Sequence, residues 1–184
     1  MRGPAQRPEE VFDVVDADDR VVGQASRAEV HARGLRHRAV HVLWLRPSGT
    51  LALQRRSYAK DTCPGLLSTS CAGHLDAGED YLPAAVRELA EELALDVAPH
   101  ELTEIDRCPA HPDLGQEFVR VYLLKSTAKA RPAPSEVDAL LWRTPSEVDA
   151  WAARVASDFS SSLTHLLERD GVREALGLTP RLRG

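Results

Sequence analysis

Three glutamates, Glu88, Glu91 and Glu92, fall within five positions of the segment GHLDAGEDYLPAAVRELAEEL, residues 73–93. On a helix, Glu88 stands three residues from Glu91 and four from Glu92, so the three carboxylates are neighbours. Like charges at those spacings cost roughly 0.2–0.5 kcal/mol per pair on an isolated helix. Two readings are open. One is the solvated face of a surface helix, its repulsion softened by Arg87 pairing with Glu91 one turn on. The other is a divalent cation held by the carboxylates. Mg²⁺ or Mn²⁺ would suit, as hard ions that prefer oxygen and usually keep waters for substrate phosphates. Gly73, Gly78 and Glu79 mark a tight loop before the helix, and the strand candidate STSCAG precedes it. Strand, loop and helix together bring a backbone carbonyl and several carboxylates around one point.

The helix itself is expected from Tyr81 to Ala94. Asp80 can cap it, Pro83 sits in the first turn where proline is tolerated, and Leu82, Val86, Leu89 and Leu93 form an apolar stripe opposite the glutamates. Upstream, VFDVVDADDRVVGQA reads as a hairpin, and Ser26 with Glu29 forms a capping box for a short helix to about Gly34. Strands are expected at HRAVHVLWLR and LALQRR, then a surface loop, SYAKDTCPGLL. Downstream come strands at LTEIDRCPA, EFVRVYLLK and EVDALLWR. Thr144-Pro145-Ser146-Glu147 opens a helix to about Ala156, and a last helix is expected from about Phe159 to Arg169, burying Phe159, Leu163, Leu166 and Leu167.

The 184 residues suit one mixed α/β domain, with residues 1–9 frayed and 145–184 forming C-terminal helices and a loose basic tail, RLRG. A net charge of −5 gives no electrostatic footprint for a nucleic-acid polymer. There is no long apolar run for a membrane span and no signal-peptide pattern, so a cytoplasmic protein is expected. Cys63, Cys71 and Cys108 lack the pairing of a disulfide framework or zinc knuckle.

Gly73, five residues, Glu79, seven residues, then Arg87-Glu88-Leu89-Ala90-Glu91-Glu92 resembles the Nudix box. One position departs: Ala94 stands where the pattern has glycine, and its loss is expected to shift the helix end slightly. The resemblance implies an α/β/α sandwich with a central mixed β-sheet. It also implies Mg²⁺-dependent cleavage of a diphosphate, with Mn²⁺ as a possible substitute. Glu88, Glu91 and Glu92 would be metal ligands with the Gly73 carbonyl nearby, and one glutamate would help activate the attacking water. Arg87 and Glu79 would orient them. Many members are dimers, so a homodimer is allowed.

Residues from about 10 to 150 further resemble the Nudix subgroup similar to type I isopentenyl-diphosphate isomerase. That likeness implies that Arg56 and Lys60 hold the substrate diphosphate, as a donor fork and a point charge. It also matches His37, His74 and Glu117 to metal ligands of the isomerase. Other positions depart: His31 falls one place out of register, Gly115 replaces a glutamate, Cys63 replaces an aromatic, and Ala72 separates Cys71 from Gly73-His74. A displaced cysteine favours a small buried residue there and argues against isomerase chemistry. The leading expectation is a hydrolase of a nucleoside di- or triphosphate or a related nucleotide derivative. The alternatives are an isomerase-like enzyme and a nucleotide-binding domain without catalysis. Against the last, all four box glutamates are present.

Overall fold

The structure, a computed structural model, describes residues 8–181. Most of the frayed stretch expected at 1–9 and of the RLRG tail lies outside the described residues. β1 (Val11–Val15) and β2 (Val21–Ser26) form the expected antiparallel hairpin. α1 (Arg27–Arg33) follows, its Ser26 cap accepting from the Glu29 N–H and its end closed by Gly34 at φ 60°. β3 (His37–Leu45), β4 (Leu51–Arg56), β5 (Leu67–Ser68) and β6 (Cys71–His74) lead into α2 (Tyr81–Leu93). β7 (Leu102–His111), β8 (Glu117–Lys125) and β9 (Val137–Arg143) precede α3 (Pro145–Arg154), α4 (Ser161–Leu167) and α5 (Asp170–Ala175).

Seven strands form one sheet, ordered β5-β4-β3-β8-β7, with β6 also on β3 and β9 on β4. β3 and β8 run parallel and the other pairs antiparallel, so the sheet is mixed. Side chains alternate across it. From β3, Ala39 and Leu43 pack under α3–α5 with Val148, Leu163, Leu166 and Val172. Val40, Val42 and Trp44 pack under α2 with Ala85, Leu89 and Leu93. The sheet is therefore the middle layer of the expected α/β/α sandwich. No helix among the described residues is long and apolar enough to cross a membrane.

Four local expectations change. STSCAG is two short strands, because the Ser70 hydroxyl accepts from the Trp44 N–H (2.7 Å) and donates to the Ala52 carbonyl (2.6 Å), bridging β3 and β4 where they separate. The loop after β4 is only partly at the surface: Ser57 and Lys60 are buried. The last expected helix is α4, shorter at both ends than Phe159 to Arg169, and α5 follows it as a helix that was not expected. Phe159 precedes α4 in extended backbone, bridged to Leu67, while the Ser160 hydroxyl caps α4 by accepting from the Leu163 N–H. α3 ends at Arg154, two residues earlier than expected.

The end of α2 does not shift. Ala94 takes the left-handed conformation (φ 52°, ψ 37°) that the glycine would have taken, and its N–H still closes on the Ala90 carbonyl (3.1 Å). An L-residue is strained there by roughly 1–2 kcal/mol. Ala94→Gly is therefore expected to stabilise the protein by about 1 kcal/mol, a rise of roughly 2–4 °C in Tm. Thermal melts of the two proteins check this.

Candidate active site

α2 presents its glutamates differently from a solvated face. Its buried residues are Tyr81, Ala84, Ala85, Leu89, Glu92 and Leu93, so the inward face is centred close to Glu92 and not on the leucine stripe. Glu92 is 2% exposed and Glu88 13%, whereas Glu91 is 62% exposed. Ala84 and Ala85 let the helix approach the sheet closely, which carries Glu92 inward. The Glu92 carboxylate accepts from Lys60 Nζ (3.3 Å), Gln54 Nε2 (3.3 Å) and the Ala72 N–H (3.4 Å).

Gly73 on β6 lies directly beneath Glu88. A Cβ at position 73 would overlap the Glu88 carboxyl group, so only glycine leaves that carboxylate room at the strand. Burial first, and then the Glu92 charge, push the Glu88 carboxyl up to about 8, against the pull of Arg87. A buried pair of carboxylates held beside a backbone carbonyl fits a hard divalent cation. Gly73→Ala is expected to displace Glu88 and lower kcat about 100-fold in a folded protein, measured by steady-state kinetics with circular dichroism as the control.

Arg87 ties the group together. Its guanidinium donates to Glu79 (2.8 and 3.0 Å), Glu88 (2.7 Å), Glu91 (3.2 Å) and the His74 carbonyl (2.9 Å). Glu79 also accepts from the Asp76 N–H (3.0 Å), which fixes the loop before α2.

These groups open onto a cavity of about 870 Å³ whose lining includes Arg27, Arg56, Lys60, Gly73, Glu88 and Glu92. Arg56, and not Arg55, faces it, at the end of β4 just after a bulge in the pairing with β9. Its guanidinium is steadied by the Thr62 carbonyl (3.0 Å) and hydroxyl (3.1 Å). Lys60 is held between Glu92 and Glu136, whose carboxylate also contacts the ammonium. Glu136 and Arg27 are among the cavity residues that escaped the sequence reading. Glu136 gave no local signal, since only the fold brings it to Lys60. Arg27 did have one: it precedes His31 by four residues, so a helix there puts both on one face.

A second cluster adjoins the first. His31, His37 and His74 bring ring nitrogens within 4.8 Å of one another. His31 is thus in place despite its register, because a turn of α1 carries it to the other two. Glu117 pairs with His37 in the parallel β3–β8 register and accepts from His74 Nε2 (3.0 Å). Arg27 donates to His74 Nδ1 (3.1 Å), so the His74 proton sits on Nε2. His37 Nδ1 donates to the Leu35 carbonyl (2.9 Å), leaving its Nε2 lone pair buried, without a hydrogen-bond partner, 3.6 Å from Glu117. Burial pushes the His74 imidazole down to about 4. An orphaned lone pair facing a carboxylate suits a cation or a bound water. Cys71 is fully buried under α2 with its thiol against the Glu92 carboxylate; burial first, and then the Glu92 and Glu88 charges, raise the thiol well above the usual range.

A mixed sheet between helices, with a glycine strand and an acidic helix meeting at a cation-lined cavity, defines a Nudix-type architecture. The family model described as NUDIX domain matches residues 35–164. An uncharacterized Nudix hydrolase of Yersinia pestis is 30% identical over 172 residues, covering 94% of this chain and 93% of that one. An isopentenyl-diphosphate Delta-isomerase of Serratia proteamaculans is 30% identical over 167 residues, covering 84% and 93%. Among solved structures, the crystal structure of DR0079 from Deinococcus radiodurans superposes with a TM-score of 0.74 at 29% identity, covering 86% of this chain and 97% of that one. The chain belongs to the Nudix hydrolase family, whose members generally depend on a divalent metal.

Proposed function

We propose that this Nudix hydrolase uses Mg²⁺, replaceable by Mn²⁺, to cleave the diphosphate of a nucleoside di- or triphosphate or a related nucleotide derivative in the cytoplasm. The observation that carries this reading is the packing of Glu88 against Gly73, with the buried Glu92 beside it on α2, at a cavity that Arg56 and Lys60 also line. Glu88, Glu91, Glu92 and the Gly73 carbonyl would hold the ion. Bound there, it would neutralise charge developing on the phosphoryl group under attack. Arg87 and Glu79 keep the carboxylates aimed. Arg56 offers a planar fork of donors and Lys60 a point charge to the diphosphate oxygens. In the chemical step a water oxygen bonds to phosphorus, the bridging P–O bond breaks, and a glutamate accepts the water proton.

One observation favours a second reading, an isomerase-like enzyme: the His37 lone pair set among His31, His74 and Glu117, together with the likeness to the Serratia isomerase. That chemistry needs a proton-transferring thiol on the cavity; Cys71 is fully buried behind Glu92, and the thiol that lines the cavity is Cys63, on the loop after β4. The test is a panel of nucleoside di- and triphosphates, dinucleotides, sugar nucleotides and isopentenyl diphosphate, assayed with Mg²⁺ for release of phosphate, pyrophosphate and nucleoside or sugar monophosphates. Turnover of a nucleotide class supports the hydrolase. Inertness toward every nucleotide, with solvent deuterium entering isopentenyl diphosphate, would replace it with the isomerase.

A further inference from the structure

A separate set of donors lies at the rim of the cavity. His111 ends β7, Asp113 follows in the turn Pro112–Leu114, and His165 lies on α4. One ligand atom from each falls within 4.8 Å of the other two. Asp113 Oδ2 is 3.4 Å from His111 Nδ1 and 3.7 Å from His165 Nδ1. Ligand atoms around a tetrahedral ion with bonds of 2.0–2.1 Å stand about 3.3 Å apart. From Asp113 to either histidine, the spacing to be closed is therefore a few tenths of an ångström. The two imidazole rings lie 4.5 Å apart, centroid to centroid, at 35°.

The donors are also in a form a metal accepts. The Asp113 N–H donates to His111 Nδ1 (3.2 Å), which puts that ring's proton on Nε2 and leaves its Nδ1 lone pair beside Asp113. Loading would exchange this long hydrogen bond for a metal bond. Burial lowers the His165 imidazole, the neighbouring His111 lowers it further, and Asp113 opposes both. The elements are already docked, since the Ser161 hydroxyl at the start of α4 donates to the Asp113 carbonyl (2.8 Å).

We infer that His111, Asp113 and His165 form a transition-metal site, best suited to Zn²⁺, that staples the β7–β8 turn to α4. Two imidazoles and one carboxylate match the donor preferences of Zn²⁺ and leave a fourth position for water, whereas Mg²⁺ prefers oxygen alone. The staple bears on the active-site cavity, because Asp113, Leu114, Gly115, Ser160, Ser161 and Ser162 all line its rim. It is distinct from the glutamates of α2 and from the His31–His37–His74 cluster.

The test measures zinc equivalents bound per chain by equilibrium dialysis in saturating Mg²⁺, for the wild type, His111→Asn, His165→Asn and the double variant. His111 is an exposed residue, so its substitution leaves the core untouched. The expected result is that each single variant holds one equivalent fewer than the wild type and the double variant loses no more than either. Zinc bound elsewhere on the chain is common to all four proteins and cancels. His111→Asn retaining the full wild-type stoichiometry would overturn the site.

Discussion

Replacing Glu92 with glutamine is expected to lower kcat about 1,000-fold while the protein still folds. The carboxylate is 2% exposed and faces the ammonium of Lys60 and the amide of Gln54. Glutamine keeps the shape and removes the charge. A charge aimed at a phosphoryl-transfer centre through a metal is worth several kcal/mol in the transition state, and each 1.36 kcal/mol is about tenfold in rate. The fold should survive because Gln54 Oε1 is buried without a partner. A flip of the Gln54 amide would turn that oxygen toward the new NH₂ group, offsetting the roughly 1–3 kcal/mol that an unsatisfied buried group costs. Steady-state kinetics should show kcat falling and the Mg²⁺ requirement rising. A rise in KM at unchanged kcat would instead make Glu92 a substrate contact.

The second large effect is on stability. Without metal, the melting temperature should fall as pH rises from 6.5 to 8. Burial and the Glu92 charge raise the Glu88 carboxyl from 4.5 to about 8 in the folded protein. Its contribution is complete below the unfolded value and is lost as pH climbs through the folded one. His41 and His74, pushed by burial from 6.5 down to about 4, slope the opposite way, but only below about 6.5. Glu136, also raised by burial, slopes the same way as Glu88, so a Glu88→Gln comparison separates the two carboxylates within the window from 6.5 to 8. A divalent ion binds the ionised form, so the gain in melting temperature on adding Mg²⁺ should grow across the window. At roughly 100 times Kd the gain is about 2.7 kcal/mol, or about 5–10 °C for a chain of this size. Scanning fluorimetry with and without Mg²⁺ checks this, and Glu88→Gln should flatten both trends. A metal effect equal at every pH would contradict it.

The local parts of this site were legible in the sequence. Gly73, Glu79, Arg87 and the three glutamates occur at fixed spacings on a strand, a loop and one helix, so their juxtaposition needs no tertiary information. The depth of Glu92 was not legible. Counting leucines placed the buried face of α2 on one side, while Ala84 and Ala85, small enough for close approach to the sheet, turned it toward the glutamates. Lys60 looked like a surface residue because its second partner, Glu136, is remote in sequence. α5 lies beyond the last helix expected, with Gly171 at its second position. Any Cβ there would crowd the Ile105 carbonyl on β7, so the glycine permits the packing that holds the helix in place. His31 looked out of register only because linear spacing ignores the turn of α1.

The claim that the α2 carboxylates hold the metal is tested most directly by anomalous diffraction from crystals grown with Mn²⁺. The account predicts a peak bounded by Glu88, Glu91, Glu92 and the Gly73 carbonyl, with Arg87 still bridging to Glu79. Manganese found only among His31, His37, His74 and Glu117, with nothing bound at the glutamates of α2, would contradict it.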